Sequence, residues 1–180
     1  MKRRAVIAVV AFVVTAALLS GCGSNVSSTE QSPQQSVVTA EASLRSQGFT
    51  KVTLRIRHAD GTVEEHCVWL ADSELERQQG LSESNELLIA RGEAMAFSFD
   101  ADSDRTFWMK DTLLPLSIAW IDAEGAVIGS ADMDPCPANA TSCPKFSPVR
   151  PYRLAIEMAQ GRLQDWGIKP GATVSLAASC

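Results

Sequence analysis

Leu116-Ser117-Ile118-Ala119-Trp120-Ile121-Asp122 is a strand-length run with almost no polar interruption. A run without alternation is covered on both faces, so it belongs inside a sheet and not at its edge. Glu124-Gly125 turns the chain after it and Ala126-Val127-Ile128 returns. Upstream, Thr106-Phe107-Trp108-Met109 reads as a strand ending at a Lys110-Asp111-Thr112 corner before Pro115. Val52, Leu54 and Ile56 alternate with polar residues as a half-buried strand does, Asp60-Gly61 marks a hairpin, and Thr62 to Ala71 comes back. Asp72 or Ser73 caps a short helix over 74–79 that stops at Gly80, and Glu86 to Ile89 suggests a further helical turn. Ala94 to Phe99, Tyr152 to Met158 and Thr173 to Ala177 are further strands, and 160–166 a second short helix. The expected fold is mostly β (α+β): a compact antiparallel domain, barrel-like or a twisted sandwich, with two short helices.

The amino end carries a different message. Lys2-Arg3-Arg4, an apolar stretch from Ala5 to Leu19, and Leu19-Ser20-Gly21-Cys22 form a secretory leader with a lipid-attachment cysteine. The apolar stretch is shorter than the roughly 20 residues that a bilayer crossing needs. The expected organisation is a leader over 1–21, a lipidated Cys22 with a flexible tether to residue 50, and one β-rich domain over 51–180. Ser, Gln, Thr and Pro dominate Gly23 to Ala40, with a weak helical turn expected at Glu41 to Ser46. Lipid on Cys22 holds the protein to a cell membrane or outer membrane on its extracytoplasmic face. The formal net charge is −5 before the basic leader is removed, which argues against nucleic acid as a partner.

Of five cysteines, Cys22 is spent on lipid. The other four form an even set in an oxidising compartment. Cys136 and Cys143 enclose a short turn-rich loop and are expected to pair. Cys67 and Cys180 then pair by default. Neither histidine has ligand spacing to the other, so no metal and no cofactor is expected.

The site expected from the residues is Trp108, Lys110, Asp111 and Thr112, with Glu157. Residues at a strand end project from a rigid frame. Trp108 offers a flat apolar face to a sugar or another ring, and Lys110 and Asp111 suit its polar edge. The competing structural reading makes Phe107, Trp108 and Met109 core residues, with Asp111 and Thr112 bonded within the turn. Glu157 lies in the apolar run Leu154-Ala155-Ile156-Glu157-Met158. Alternation sets it opposite Leu154 and Ile156 and favours solvent; an inward Glu157 needs a partner, for which Lys110 is the candidate. No nucleophile elbow, metalloprotease motif or phosphate loop is present. The leading expectation is therefore a non-catalytic binding or accessory module of the cell envelope, meeting a glycan, a small molecule or a protein partner. The alternative is an envelope enzyme acting on carbohydrate or peptidoglycan through Asp111 and Glu157.

A series of short motifs carries a family resemblance. In order they are Glu76-Arg77-Gln78-Gln79-Gly80-Leu81, Met95-Ala96-Phe97-Ser98-Phe99, Phe107-Trp108-Met109-Lys110-Asp111-Thr112-Leu113-Leu114-Pro115-Leu116, Tyr152-Arg153-Leu154-Ala155-Ile156-Glu157 and Pro170-Gly171. Over residues 66 to 177 the chain resembles the DUF192 family, a domain common in bacterial secreted and lipid-anchored proteins. The resemblance implies a small β-rich fold in such a setting and supplies no reaction. Three departures stand out. The family usually has Asn at Asp111, Asp at Ser117, and Gly-Met-Leu-Phe where this chain has Ala94-Met95-Ala96-Phe97.

Overall fold

The computed structural model describes residues 32–82, 86–136 and 139–180. The leader and Cys22 lie outside the described residues. Helix α1 (Pro33–Ser46) comes first, then strands β1 (Thr50–Arg57) and β2 (Val63–Ala71), helices α2 (Glu74–Gln79) and α3 (Glu86–Ala90), and strands β3 (Met95–Ser103), β4 (Phe107–Trp108), β5 (Leu116–Ile121), β6 (Val127–Met133), β7 (Lys145–Phe146) and β8 (Tyr152–Ala159). Helix α4 (Arg162–Asp165) and strand β9 (Thr173–Ser179) complete the order. None of the described helices is long and apolar enough to cross a membrane.

Seven strands form one sheet in the order β6-β5-β8-β3-β2-β1-β9, and β4 pairs with β7 in a separate two-stranded sheet. Neighbours are antiparallel except β2 and β3, which run parallel across the α2–α3 connection. Every residue of β5 is buried, in line with its unbroken apolar sequence. The sheet carries an apolar layer on each face. Trp69, Met95, Phe97, Leu116, Ile118 and Trp120 point to one layer. Leu54, Ile56, Ala96, Ile121, Ile156 and Val174 point to the other. The sheet curls over this second layer until its two edge strands touch at one end. There Val174 N–H donates to Gly125 O at 2.7 Å, and Ala126 bridges Thr173. A Cβ on Gly125 would lie 2.9 Å from the Val174 carbonyl oxygen, so this approach requires glycine. A single bridge leaves the arrangement sandwich-like and short of a closed barrel.

Local chemistry explains the elements. Asp60 Oδ1 accepts from Thr62 N–H at 2.9 Å and from its hydroxyl at 2.6 Å, which closes the β1–β2 hairpin. Ser73 and Glu76 form a reciprocal capping box on α2. Helix α1 corrects the expected tether from residue 33 onward. Ser32 caps it, Pro33 opens it, and Val37, Ala40 and Leu44 present a one-sided stripe that packs on the first layer. Lys51 clamps it, reaching Glu41 at 3.1 Å and Glu93 at 2.9 Å. Four helices stand among the described residues: the two expected short ones, α1, and the brief α3, which forms where the further helical turn at Glu86 to Ile89 was expected. Strand β3 outruns the expected Ala94 to Phe99, continuing to Ser103 past an irregular register with β8.

Both expected disulfides form. Cys67 bonds Cys180 across a Cα separation of 6.0 Å, and Cys136 bonds Cys143 across 5.7 Å. The first spans β1 to tie β2 to the end of β9. The second fixes the loop that enters β7. Loop-closure entropy makes the long closure worth about 5 kcal/mol and the short one about 2.5 kcal/mol. Denaturant unfolding of the Cys67→Ala/Cys180→Ala variant should therefore show roughly twice the stability loss of Cys136→Ala/Cys143→Ala. Equal losses would show that the long disulfide constrains little.

Candidate functional site

The corner after β4 is set by backbone before any side chain acts. Phe107 sits opposite Phe146 and Trp108 opposite Lys145 in the β4–β7 pair. Cys136 bridges both Lys110 and Thr112, so the Cys136–Cys143 disulfide buttresses the turn from one side. Thr112 N–H donates to Met109 O at 3.1 Å. Met109 is buried and anchors the turn in the core. Asp111 takes a φ of 58°, a left-handed conformation that Asn and Asp adopt more readily than other non-glycine residues. This geometry leaves Trp108 55% exposed with Lys110 Nζ 5.9 Å from its ring centroid.

Between this corner and α2 lies a cavity of about 430 Å³, within the span of roughly 300–1,000 Å³ typical of small-molecule sites. Its aromatic wall is a continuous chain of rings. Phe97 meets Phe107 edge-on at 5.2 Å, Phe107 lies 6.2 Å from Tyr152, and Tyr152 meets Phe99 edge-on at 5.2 Å. Arg77 enters from α2, its guanidinium 4.9 Å from the Phe99 centroid. It donates to the Asp72 carbonyl and, at 2.8 Å, to Ser98 O. Its buried Nε has no hydrogen-bond partner among the described residues. Arg105 donates to both carboxylate oxygens of Glu74, at 2.7 and 2.8 Å. The Tyr152 hydroxyl donates to Arg105 O at 3.1 Å, and burial pushes that phenol up to about 12.

Glu157 also lines this cavity and is only 5% exposed. The expectation that it faces solvent is corrected. Alternation does set it opposite Leu154 and Ile156, but β8 lies between β3 and β5, and its other face carries a second apolar layer instead of water. The expected Lys110 partner is absent as well. Among the described residues Glu157 has no hydrogen bond and no ion pair. Burial alone pushes its carboxyl up to about 8, because no nearby cation or donor offsets the cost of removing the charge from water. Near neutral pH the group is mostly protonated and carries a hydrogen to donate.

Of the expected site residues, Trp108, Lys110, Thr112 and Glu157 line the cavity and Asp111 does not. The two-carboxylate arrangement therefore has no shared cavity. Phe107 and Met109 do serve the core, as the structural reading held, while Trp108 does not. Reasoning from the sequence missed Arg77, Arg105 and the aromatic wall. Arg77 stands inside a motif that carried the resemblance, but a helical Arg gives no sign of which loop it will face. Among the described residues no group of three His, Cys, Asp or Glu is placed to hold a metal.

Comparison with known proteins agrees with this architecture. The DUF192 family, described as an uncharacterized ACR, matches residues 55–176. A crystal structure of a Sinorhizobium meliloti 1021 protein, provisionally named a transcription regulator, superposes with a TM-score of 0.58 at 23% identity, covering 71% of this chain and 95% of that one. A protein of unknown function from Novosphingobium aromaticivorans DSM 12444 superposes at 0.56 with 26% identity, covering 69% and 84%. No curated protein matches the chain in sequence. The match extends from β1 into β9 and takes in the corner, the aromatic wall and Glu157: the chain belongs to the DUF192 family.

Proposed function

We propose that this protein is a lipid-anchored, extracytoplasmic binding module of the cell envelope that captures a ligand in the cavity between α2 and the Trp108–Thr112 corner. The observation that carries the reading is Glu157. A buried carboxyl without a partner costs stability, and here it opens onto a cavity with an exposed Trp108 and Lys110 at its edge. A ligand that bonds to Glu157 offsets that cost. One carboxyl in the cavity, with no nucleophile–base pair beside it, suits binding better than hydrolysis. The ligand is an envelope glycan, a small molecule or an exposed group of a partner protein.

The leader and Cys22 support the location, and two disulfides suit an oxidising compartment. Residues 23–31 separate Cys22 from the cap of α1. Fully extended, they reach at most roughly 30 Å. The domain would therefore work close to the membrane that holds it, on material within that short radius.

Three outcomes are expected. Mass spectrometry of the native protein should find Cys22 acylated at the amino end, and Cys22→Ser should move the protein from the membrane to the soluble fraction; an uncleaved leader would end the anchoring reading. On an envelope glycan array, Trp108→Ala should lose capture at least tenfold with its melting temperature nearly unchanged, because the ring is half exposed. Unfolding of that variant would make the corner structural. The third outcome concerns pH. The folded Glu157 stays protonated up to about 8, whereas an unfolded one ionises near the ordinary glutamate value of 4.5. Between these values the folded state holds the extra proton, so this group's contribution lowers stability as pH rises, by about 1 kcal/mol per pH unit. Glu157→Gln should remove that slope: the variant gains on the parent from pH 5 to 8 in urea unfolding and converges with it near pH 4. Parallel curves would mean that Glu157 is ionised when folded.

A further inference from the structure

We propose that the cavity takes an acidic sugar: a polyhydroxylated ring bearing a carboxylate, with its acid group at Lys110, its C–H face on Trp108 and a hydroxyl at Glu157. The inference rests on the reading of this cavity as a ligand site and names the chemistry that it selects.

Three cations line the cavity, and two of them are already engaged. Arg105 holds both oxygens of Glu74, and Arg77 is bound to two carbonyls and lies 3.6 Å from the same carboxylate. Lys110 has no carboxylate within ion-pair distance among the described residues; its neighbour is the Trp108 ring. It is the charge left for an incoming acid. Glu157 is the lone acidic residue among the described residues lining the cavity, and burial keeps it largely uncharged near neutral pH. Among those residues a ligand amine would meet three positive side chains and no carboxylate to receive it. At Phe99 the Arg77 guanidinium already takes the cation's place.

Charge excludes the amine, and hydrogen bonding excludes a plain hydrocarbon acid. Such a ligand would satisfy Lys110 and cover the aromatic wall. It would leave Glu157 as bare as before, and buried polar groups without partners are costly. A ring with several hydroxyls meets it, since each hydroxyl donates and accepts. Sugars also present a flat apolar C–H face, which matches the exposed ring of Trp108. Lys110 lies beside that ring, so stacking and the ion pair occur on one side of the cavity while the hydroxyls reach the other.

The test uses the full lipidated chain in nanodiscs and three probes that share one ring: methyl glucuronide, methyl glucoside and methyl glucosaminide. Binding is read from the Trp108 indole N–H resonance, assigned by its loss in Trp108→Phe. The expected order is acid first, with the glucuronide at least tenfold tighter than the other two. Lys110→Gln should collapse the preference to within about twofold, and raised salt should erode it in the parent. Equal binding of acid and neutral glycoside, or tighter binding of the amine, would overturn the ligand class and leave the cavity as a binding site. No shift with any probe would overturn both. Glu157→Gln keeps an uncharged donor in place, so its affinity for the glucuronide should stay within a few-fold of the parent's. A hundredfold loss would mean that an ionised Glu157, and hence a cationic group, does the work.

Discussion

Because β8 runs between β3 and β5 with apolar layers packed on both faces of the sheet, its side chains from Leu154 to Met158 are buried whichever way they turn, and only toward the strand's start does Arg153 reach out to Asp102. Aliphatic residues gain from that position. Glu157 does not, and no cation has been supplied to neutralise it. The strand tolerates the group because the sheet is not covered tightly at that point. The β4–β7 corner stands off from the sheet and leaves a cavity in front of the carboxyl. The corner depends in turn on Cys136, whose backbone bridges Lys110 and Thr112 and whose sulfur is tied to Cys143. Disulfide, corner, cavity and carboxyl thus form one dependent series, and the candidate site is its end product.

The same series explains the opposite natures of the two ends of the cavity. At depth, the ring chain from Phe97 to Phe99 and the low dielectric keep Glu157 protonated. At the edge, Trp108 and Lys110 are wet. Long-range attraction acts at the edge, where a charge is cheap to keep, and directional hydrogen bonding acts inside, where a misplaced polar group is expensive. Arg77 and Arg105 share Glu74, and the Arg77 guanidinium over Phe99 holds α2 against the aromatic wall.

Much of this was legible in the chain. The unbroken run at Leu116 gave an interior strand, Asp60-Gly61 gave the hairpin, and the spacing of four cysteines gave both disulfides. The errors share a cause. Alternation reports which residues are opposite, not what lies beyond them, so Glu157 was set on the correct side of β8 while a second core was mistaken for solvent. A Ser/Gln/Thr-rich composition masked the Ser32-Pro33 cap and the Val37, Ala40, Leu44 stripe of α1. The cavity itself was invisible, since it is made by α2, β3 and β8 meeting the corner across long sequence separations.

The departures from the family pattern at Asp111 and Ser117 can now be placed physically. Asp111 occupies a left-handed backbone position, where Asn and Asp are the favoured non-glycine residues. Exchanging one for the other keeps the turn and changes nothing that lines the cavity. Ser117 is buried on β5; its hydroxyl accepts from Gly161 N–H at 3.0 Å and donates to Asp132 Oδ1 at 2.5 Å. A carboxylate at 117 can accept from Gly161 equally well, but it would then face the Asp132 carboxylate directly across the β5–β6 ladder. Serine at 117 keeps the acceptor for Gly161 and leaves the carboxylate to Asp132 on the next strand. Neither Asp111 nor Ser117 lines the cavity. The chemistry of the site therefore rests on Trp108, Lys110, Arg77 and Glu157, which the departures leave untouched.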